Sequence, residues 1–182
     1  MEAIAAAQNA HDAKIHALRA ELVDAEAALA SARARSGRKG VGAWLTSASA
    51  NRRLAKRLLR SGLFDAEFYR ATYPAATPDA AKGELAAAEH YLEEGFCQGL
   101  RPNPLFDTRW YLERYEDVRR SGVNPLLHYF LHGWRDGRDP GPGFHTDYYL
   151  EANPDVRDAG ANPLAHYLRH GRHEGRLAVR PG

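Results

Sequence analysis

The feature of this sequence that most constrains its fold is a motif that occurs three times. The segment FDTRWYLERYEDVRRSGVNPLLHYFLHGWRDGRDP begins at Phe106, and a closely similar segment begins 38 positions later at Phe144. A more divergent copy begins at Phe64, has four additional residues between Tyr73 and His90, and lacks the Asn-Pro pair of the other two. Repetition at a fixed period is typical of repeat proteins, in which each unit stacks on its neighbours to complete a shared core.

Each copy predicts two short helices. Asp107 lies at an N-cap position ahead of TRWYLERY, where its carboxylate can accept hydrogen bonds from the free amides of the first turn. Asn124 and Pro125 predict the start of a second helix, which we expect to end at Gly133 in the left-handed conformation, with a further turn at Gly137. The apolar stripe of the first helix is formed by residues three or four positions apart, namely Trp110, Tyr111, Tyr115 and Val118.

These signals predict an all-α fold with three regions. Residues 1–35 form a coiled-coil helix, residues 36–61 a Gly-rich break and a basic amphipathic helix, and residues 62–182 an array of helical hairpins. The array leaves roughly 120 residues for a packed body, which is enough for a modest core. The three hairpin copies are predicted at 64–102, 106–140 and 144–178.

The first region follows the a/d rhythm of a coiled coil. Its apolar positions recur in alternating steps of three and four, namely Ile15, Leu18, Leu22, Ala25, Leu29 and Ala32. Alanine at two of these positions buries little area, so the pattern predicts a short coil that self-associates or docks on the coil of another protein. A single solvated helix is the alternative.

The second region is strongly basic, because residues 33–60 contain nine basic residues and no acidic one. A basic amphipathic helix with a tryptophan can lie on an anionic membrane or an acidic partner. Alternatively, its leucines pack on the first copy. Nucleic acid is a poor candidate, since the basic residues are confined to one helix and the copies that follow are net acidic. The candidate contact residues are Trp44, Arg52, Arg53, Lys56, Arg57 and Arg60.

The histidines recur with the motif. His128 and His132 are four residues apart on one helix, as are His166 and His170, and such pairs can bind zinc. Because His90, His128 and His166 occupy one equivalent position, we interpret them as packing or capping residues, and the second histidine of each pair as favoured by the helix dipole. No metal is predicted. Cys97 is interpreted as a small apolar residue beside Phe96.

One aromatic position varies between the copies. Phe96, Trp134 and Arg172 are equivalent and follow the second helix, where exposed side chains can contact a sugar or a protein partner. We predict this series, together with Arg135, as the candidate ligand or partner contacts. The tyrosines that recur at core spacings are expected to form the interior.

The sequence contains no motif that indicates catalysis or a cofactor. It has no GxSxG, P-loop or GxGxxG sequence, and its carboxylates lie mainly at cap and turn positions. No apolar run reaches the length of a membrane span, and the single cysteine excludes an intramolecular disulfide framework. We therefore expect a non-enzymatic protein of the cytoplasm, with peripheral association at the inner membrane as a further expectation.

The pattern FDxxYYLxxNPDVxxxGxNPLxHYLxHGxxEGR, kept best from Phe144 to Arg176, resembles short tandem repeats that accompany the catalytic domains of bacterial surface-polysaccharide glycosyltransferases. In that family an N-terminal coil and a basic leader often precede SGLFD, which stands here at residues 61–65. The chain departs from the family in lacking a nucleotide-sugar domain and a DxD motif. The resemblance implies a non-catalytic adaptor for protein docking beside glycosylation machinery. A glycan-binding module, or an N-terminal fragment of such a transferase, is the alternative.

Overall fold

The computed structural model describes residues 48–75 and 83–181, which are helical and contain no strand beyond one isolated bridge between Gly141 and Phe144. The all-α prediction is confirmed for these residues, whereas the predicted coil at 1–35, the Gly-rich break and Trp44 lie outside them. The α-helices are α1 (Ala48–Ser61), α2 (Ala66–Thr72), α3 (Glu84–His90), α4 (Thr108–Arg114), α5 (Glu116–Ser121), α6 (Pro125–His128), α7 (Thr146–Ala152), α8 (Pro154–Asp158) and α9 (Pro163–His166). Three π-helical segments follow α3, α6 and α9, namely π1 (Tyr91–Gly95), π2 (Tyr129–Gly133) and π3 (Tyr167–Gly171).

The first helix of the second copy is divided in two. Asp107 caps α4 as predicted, and its carboxylate accepts a hydrogen bond of 3.0 Å from the Trp110 amide. At Tyr115 the backbone leaves the helical region, with φ −117° and ψ 87°, and α5 begins at the next residue. The prediction of one continuous helix from Trp110 to Val118 is therefore wrong. The Tyr115 hydroxyl also accepts a hydrogen bond of 2.8 Å from the Asp139 amide.

The second helix of the copy begins as predicted and ends differently. The Asn124 side chain accepts hydrogen bonds from the Leu126 and Leu127 amides, which confirms it as the N-cap. The predicted left-handed conformation at Gly133 is wrong. After the second helix it is Gly137, and not Gly133, that has a positive φ, at +68°. Gly133 instead closes π2, whose wider turn is marked by a hydrogen bond from the Trp134 amide to the Tyr129 carbonyl.

A buried tyrosine makes glycine necessary at the end of each π segment. A Cβ atom built on Gly133 would lie closer than 3.0 Å to the Tyr111 hydroxyl oxygen, a separation that real Cβ atoms do not reach. Gly95 and Gly171 have the same relation to Tyr69 and Tyr149. The glycine that recurs in the motif therefore serves a side-chain contact rather than an unusual backbone angle.

The same tyrosines bind the histidines of the motif. The hydroxyl-to-Nδ1 distance is 3.0 Å for Tyr69 and His90, 2.9 Å for Tyr111 and His128, and 2.9 Å for Tyr149 and His166. Each hydrogen bond joins the first helix of a copy to its second helix across the core. The interpretation of the first-position histidine as a packing residue is thus confirmed.

A second tyrosine joins neighbouring copies. The Tyr91 hydroxyl lies 3.2 Å from the Thr108 hydroxyl of the following copy, and Thr108 donates in turn to the Leu100 carbonyl at 2.6 Å. The same arrangement recurs one copy later, where Tyr129 contacts Thr146 at 3.2 Å. Because the threonine proton is engaged by the carbonyl, the tyrosine is the donor in both pairs.

Helix α1 contacts all three copies. Its apolar residues Leu54, Ala55 and Leu58 are buried. The Asn51 amide donates to Glu93 of π1 at 3.2 Å, Arg57 lies over the Phe130 ring of π2 at 5.9 Å, and Arg169 of π3 donates to the Arg60 carbonyl at 3.1 Å. Burial of the apolar side of α1 fits the packing alternative, and the polar contacts of the helix reach the equivalent segment of every copy and not only the first.

Candidate functional site

The exposed side of α1 carries a row of cations, which we call the basic row. It consists of Arg52, Arg53, Lys56 and Arg60, all of which are exposed. None of the four forms a salt bridge with a side chain in the described part of the chain. The predicted contact Arg57 is set apart from them, because it is half-buried against Phe130.

Burial of the apolar side of α1 changes what the basic row can contact. A helix that inserts into a membrane needs an exposed apolar face. On α1, however, Leu54, Ala55 and Leu58 are already buried. The four cations can therefore act only as a rigidly held surface charge. Near an anionic surface each such cation contributes about 1 kcal/mol, and salt weakens the interaction.

A cleft of about 280 Å³ lies where the end of α1 meets the first and third copies. We call it the α1 cleft. Its apolar lining comes from Leu59, Phe64 and Leu168, and its charged lining includes Glu67, Glu84 and Arg172. Arg172 is the one member of the predicted variable series that the structure places here, and its Nε lies 3.0 Å from His173 Nε2. The lining surface of the cleft is mainly polar, and its carboxylates and guanidinium are available to a ligand.

The variable aromatic position is not the exposed surface that the sequence predicts. Phe96 is 6% exposed and Trp134 is 8% exposed, so this expectation is wrong for both residues. The Arg135 guanidinium lies 4.3 Å from the centre of the Trp134 ring, and Arg135 also donates to the Leu131 carbonyl. The guanidinium therefore covers the ring in a cation–π contact, at the position predicted to contact a sugar or a protein partner. Of the series, Arg135 and Arg172 are exposed.

In the second and third copies the tyrosine–histidine pair combines a histidine of lowered pKa with a tyrosine of raised pKa. Burial lowers the pKa of His128, with nearby Arg138 as a second cause, and burial raises the pKa of Tyr111. A neutral imidazole therefore shares the hydrogen bond with a protonated phenol. His166 and Tyr149 follow the same rule, with the pKa of Tyr149 raised to about 12 mainly by burial.

His132, His170 and Cys97 are the remaining candidates for metal binding or thiol chemistry. His132 and His170 lie beside His128 and His166, with ring centres 6.1 Å and 5.6 Å apart. Among residues 48–75 and 83–181, no three His, Cys, Asp or Glu side chains are grouped as a metal site requires. Cys97 is exposed rather than packed, and partial burial raises the pKa of its thiol.

Sequence reasoning missed one recurrent ion pair. Arg138 binds Asp117 through two contacts of 2.9 Å, and Arg176 binds the equivalent Asp155 at 2.9 Å. The hydrogen bond from Arg138 lowers the pKa of the Asp117 carboxyl. The signal was present, because both the aspartate and the arginine recur 38 positions later, but their separation of 21 residues hides the pairing.

No protein-family model matches the chain, and no curated protein or solved structure matches it either. Within the described residues, no helix combines the length and the apolarity needed to cross a bilayer.

Proposed function

We propose that this protein is a non-catalytic helical adaptor that docks on an acidic protein surface through the basic row of α1. The observation that supports this proposal is the division of α1 into two sides. Its apolar side is buried and the helix contacts all three copies, while Arg52, Arg53, Lys56 and Arg60 remain exposed. A row of charges on a rigidly held helix orients an oppositely charged partner and speeds its association.

The roles of the polar side chains in the copies also favour binding over catalysis. The recurrent histidines are bound to tyrosines, Asp107 and Asn124 cap helices, and Asp117 is paired with Arg138. Each of these groups has a structural partner that accounts for its presence. We therefore assign the copies the role of a scaffold.

The resemblance of the motif to glycosyltransferase-associated repeats gives the adaptor its proposed setting. On this basis we place it beside bacterial surface-polysaccharide or protein glycosylation machinery, in the cytoplasm and close to the inner membrane. The partner is then a component of that machinery which presents a cluster of carboxylates. If the sequence belongs to a longer transferase, the basic row would dock that enzyme on its assembly.

The test compares two charge reversals in the full chain. Arg52→Glu with Lys56→Glu changes the basic row, and Arg119→Glu with Arg120→Glu changes two exposed arginines of the second copy. Cross-linking in the native host, followed by identification of the linked proteins, should recover an acidic partner with the wild type and the control but not with the basic-row variant. Equal recovery with both variants would contradict the proposal. Flotation of the wild type with anionic vesicles, lost in the basic-row variant, would assign the row to a membrane instead.

Glycan binding is a second candidate, favoured by the α1 cleft. Its volume of about 280 Å³ suits a small sugar, and Glu67, Glu84 and Arg172 offer hydrogen-bonding groups at its walls. Titration calorimetry with surface oligosaccharides should show binding that Arg172→Ala removes and that Arg157→Ala leaves unchanged. Because Trp134 is buried, its fluorescence is not expected to respond. No heat of binding with any oligosaccharide would remove this candidate.

A further inference from the structure

Each copy presents an equivalent surface, formed by its π segment and the turn that follows, which we call its distal face. The face contains the second tyrosine of the copy and a glycine with positive φ eight residues further on. These residues are Tyr91 and Gly99 in the first copy, Tyr129 and Gly137 in the second, and Tyr167 and Gly175 in the third.

The next copy covers the distal faces of the first two copies in the same way. The threonine at the start of α4 or α7 takes the tyrosine hydrogen bond and donates to a carbonyl of the face. The following residue lies over the glycine, since a Cβ on Gly99 would meet the Arg109 side chain and a Cβ on Gly137 would meet Asp147. A helix that begins with threonine and a charged residue is therefore the natural occupant of this surface.

Among the described residues, none covers the distal face of the third copy in this way. Tyr167 is half-buried, unlike Tyr91 and Tyr129, and its hydroxyl makes no hydrogen bond with any residue that the structure describes. Apart from the neighbours of Gly175 in the chain, no atom of the described residues lies within 4 Å of a Cβ built on that glycine. Leu177 and Val179 follow it closely in sequence, are 53% and 37% exposed, and are the large apolar side chains that stand exposed in the described part of the chain. The third copy thus carries the tyrosine and the glycine of the face without the helix that covers them in the other two copies.

We propose that the distal face of the third copy binds a helix of a partner polypeptide that begins with threonine. The Tyr167 hydroxyl donates to that threonine, which donates to the Arg176 carbonyl, the equivalent of the Arg138 carbonyl that accepts from Thr146. An apolar side chain of the partner covers Leu177 and Val179. The interface would thereby continue the one that already joins the first copy to the second and the second to the third.

The described copies of a second molecule do not offer the required helix. At the start of the first copy Ala66 occupies the threonine position and has no hydroxyl group. Thr108 and Thr146 are fully buried between copies and already bonded. The occupant that we infer is a helix of the same repeat chemistry on a different polypeptide, and its binding is independent of the basic row.

The test uses a labelled peptide with the sequence of residues 106–122, FDTRWYLERYEDVRRSG, and fluorescence anisotropy with the full chain. We expect saturable binding. A peptide with valine in place of the threonine should bind about tenfold more weakly, as should the protein variant Tyr167→Phe, because each removes one buried hydrogen bond. A peptide with serine at that position retains the hydroxyl and should bind like the original.

Surface variants locate the binding site. Gly175→Asn places a side chain where the next copy's Arg109 or Asp147 lies over the equivalent glycine, so it should weaken binding. Gly160→Asn, at another exposed glycine of positive φ with open space around it, should leave binding unchanged. Arg52→Glu with Lys56→Glu should also leave peptide binding unchanged, which separates this surface from the basic row. Absence of saturation up to about 1 mM peptide, or binding that ignores both Tyr167→Phe and Gly175→Asn, would overturn the proposal. A dimer in sedimentation that Gly175→Asn abolishes would assign the face to a second copy and overturn it as well.

Discussion

Replacement of Gly133 by alanine tests the role that the structure gives to the motif's recurrent glycine. The added Cβ would lie closer than 3.0 Å to the Tyr111 hydroxyl, which is bonded to His128 Nδ1 at 2.9 Å. The tyrosine must move, and the hydrogen bond is lost. The backbone itself accepts alanine, because Gly133 is not among the glycines with positive φ.

The expected change in the free energy of unfolding is the sum of three contributions. Loss of the buried hydrogen bond costs about 1 to 3 kcal/mol, and crowding of a packed core costs about the same again. Alanine returns about 0.5 to 1 kcal/mol, since it is a better helix former than glycine. The free energy of unfolding should therefore fall by about 1 to 5 kcal/mol, as measured by urea denaturation followed by circular dichroism.

A second mutation makes this test specific. In the Tyr111→Phe background the clashing oxygen is gone, and the next atoms near the new Cβ are His128 Nδ1 at 3.3 Å and Tyr129 Cδ2 at 3.5 Å. Gly133→Ala should then change the free energy of unfolding by less than about 0.5 kcal/mol. Gly143→Ala, at an exposed turn, serves as the control with little effect. An equal loss of stability in both backgrounds would refute the reasoning.

Two further predictions follow from the buried polar groups. Because burial lowers the pKa values of His128 and His166 below the ordinary 6.5, the unfolded chain binds more protons than the folded one, so the free energy of unfolding should fall as the pH drops below that value. Urea midpoints measured from about pH 8 to about pH 5.5 check this, and a constant midpoint would contradict it. Asp107→Ala should cost about 1 kcal/mol through loss of the α4 cap, whereas Asp107→Asn should cost less, since asparagine also accepts the amide hydrogen bond. Thermal unfolding compares the two, and equal losses would argue against capping.

The success of the sequence predictions depended on the distance over which each contact acts. Asp107 and Asn124 cap amides two or three residues ahead, and their assignments hold. The single first helix failed at Tyr115, whose hydroxyl bonds to the Asp139 amide 24 residues away, a contact that the apolar spacing does not encode. Trp134 was expected at the surface because its position varies between copies, yet it is buried beneath the Arg135 guanidinium. Sequence variation at a position therefore did not indicate exposure.

The sequence by itself determined the helical class of the described residues, the helix starts and the recurrence of tyrosine, histidine and glycine, because caps and periodic patterns are encoded within a few neighbouring residues. Only the tertiary structure decided what those recurrent residues do. It placed the Tyr111 hydroxyl against Gly133, Thr108 against Tyr91, and helix α1 in contact with all three copies. These contacts join residues far apart in the chain, and a local pattern cannot specify which distant side chain fills a given space.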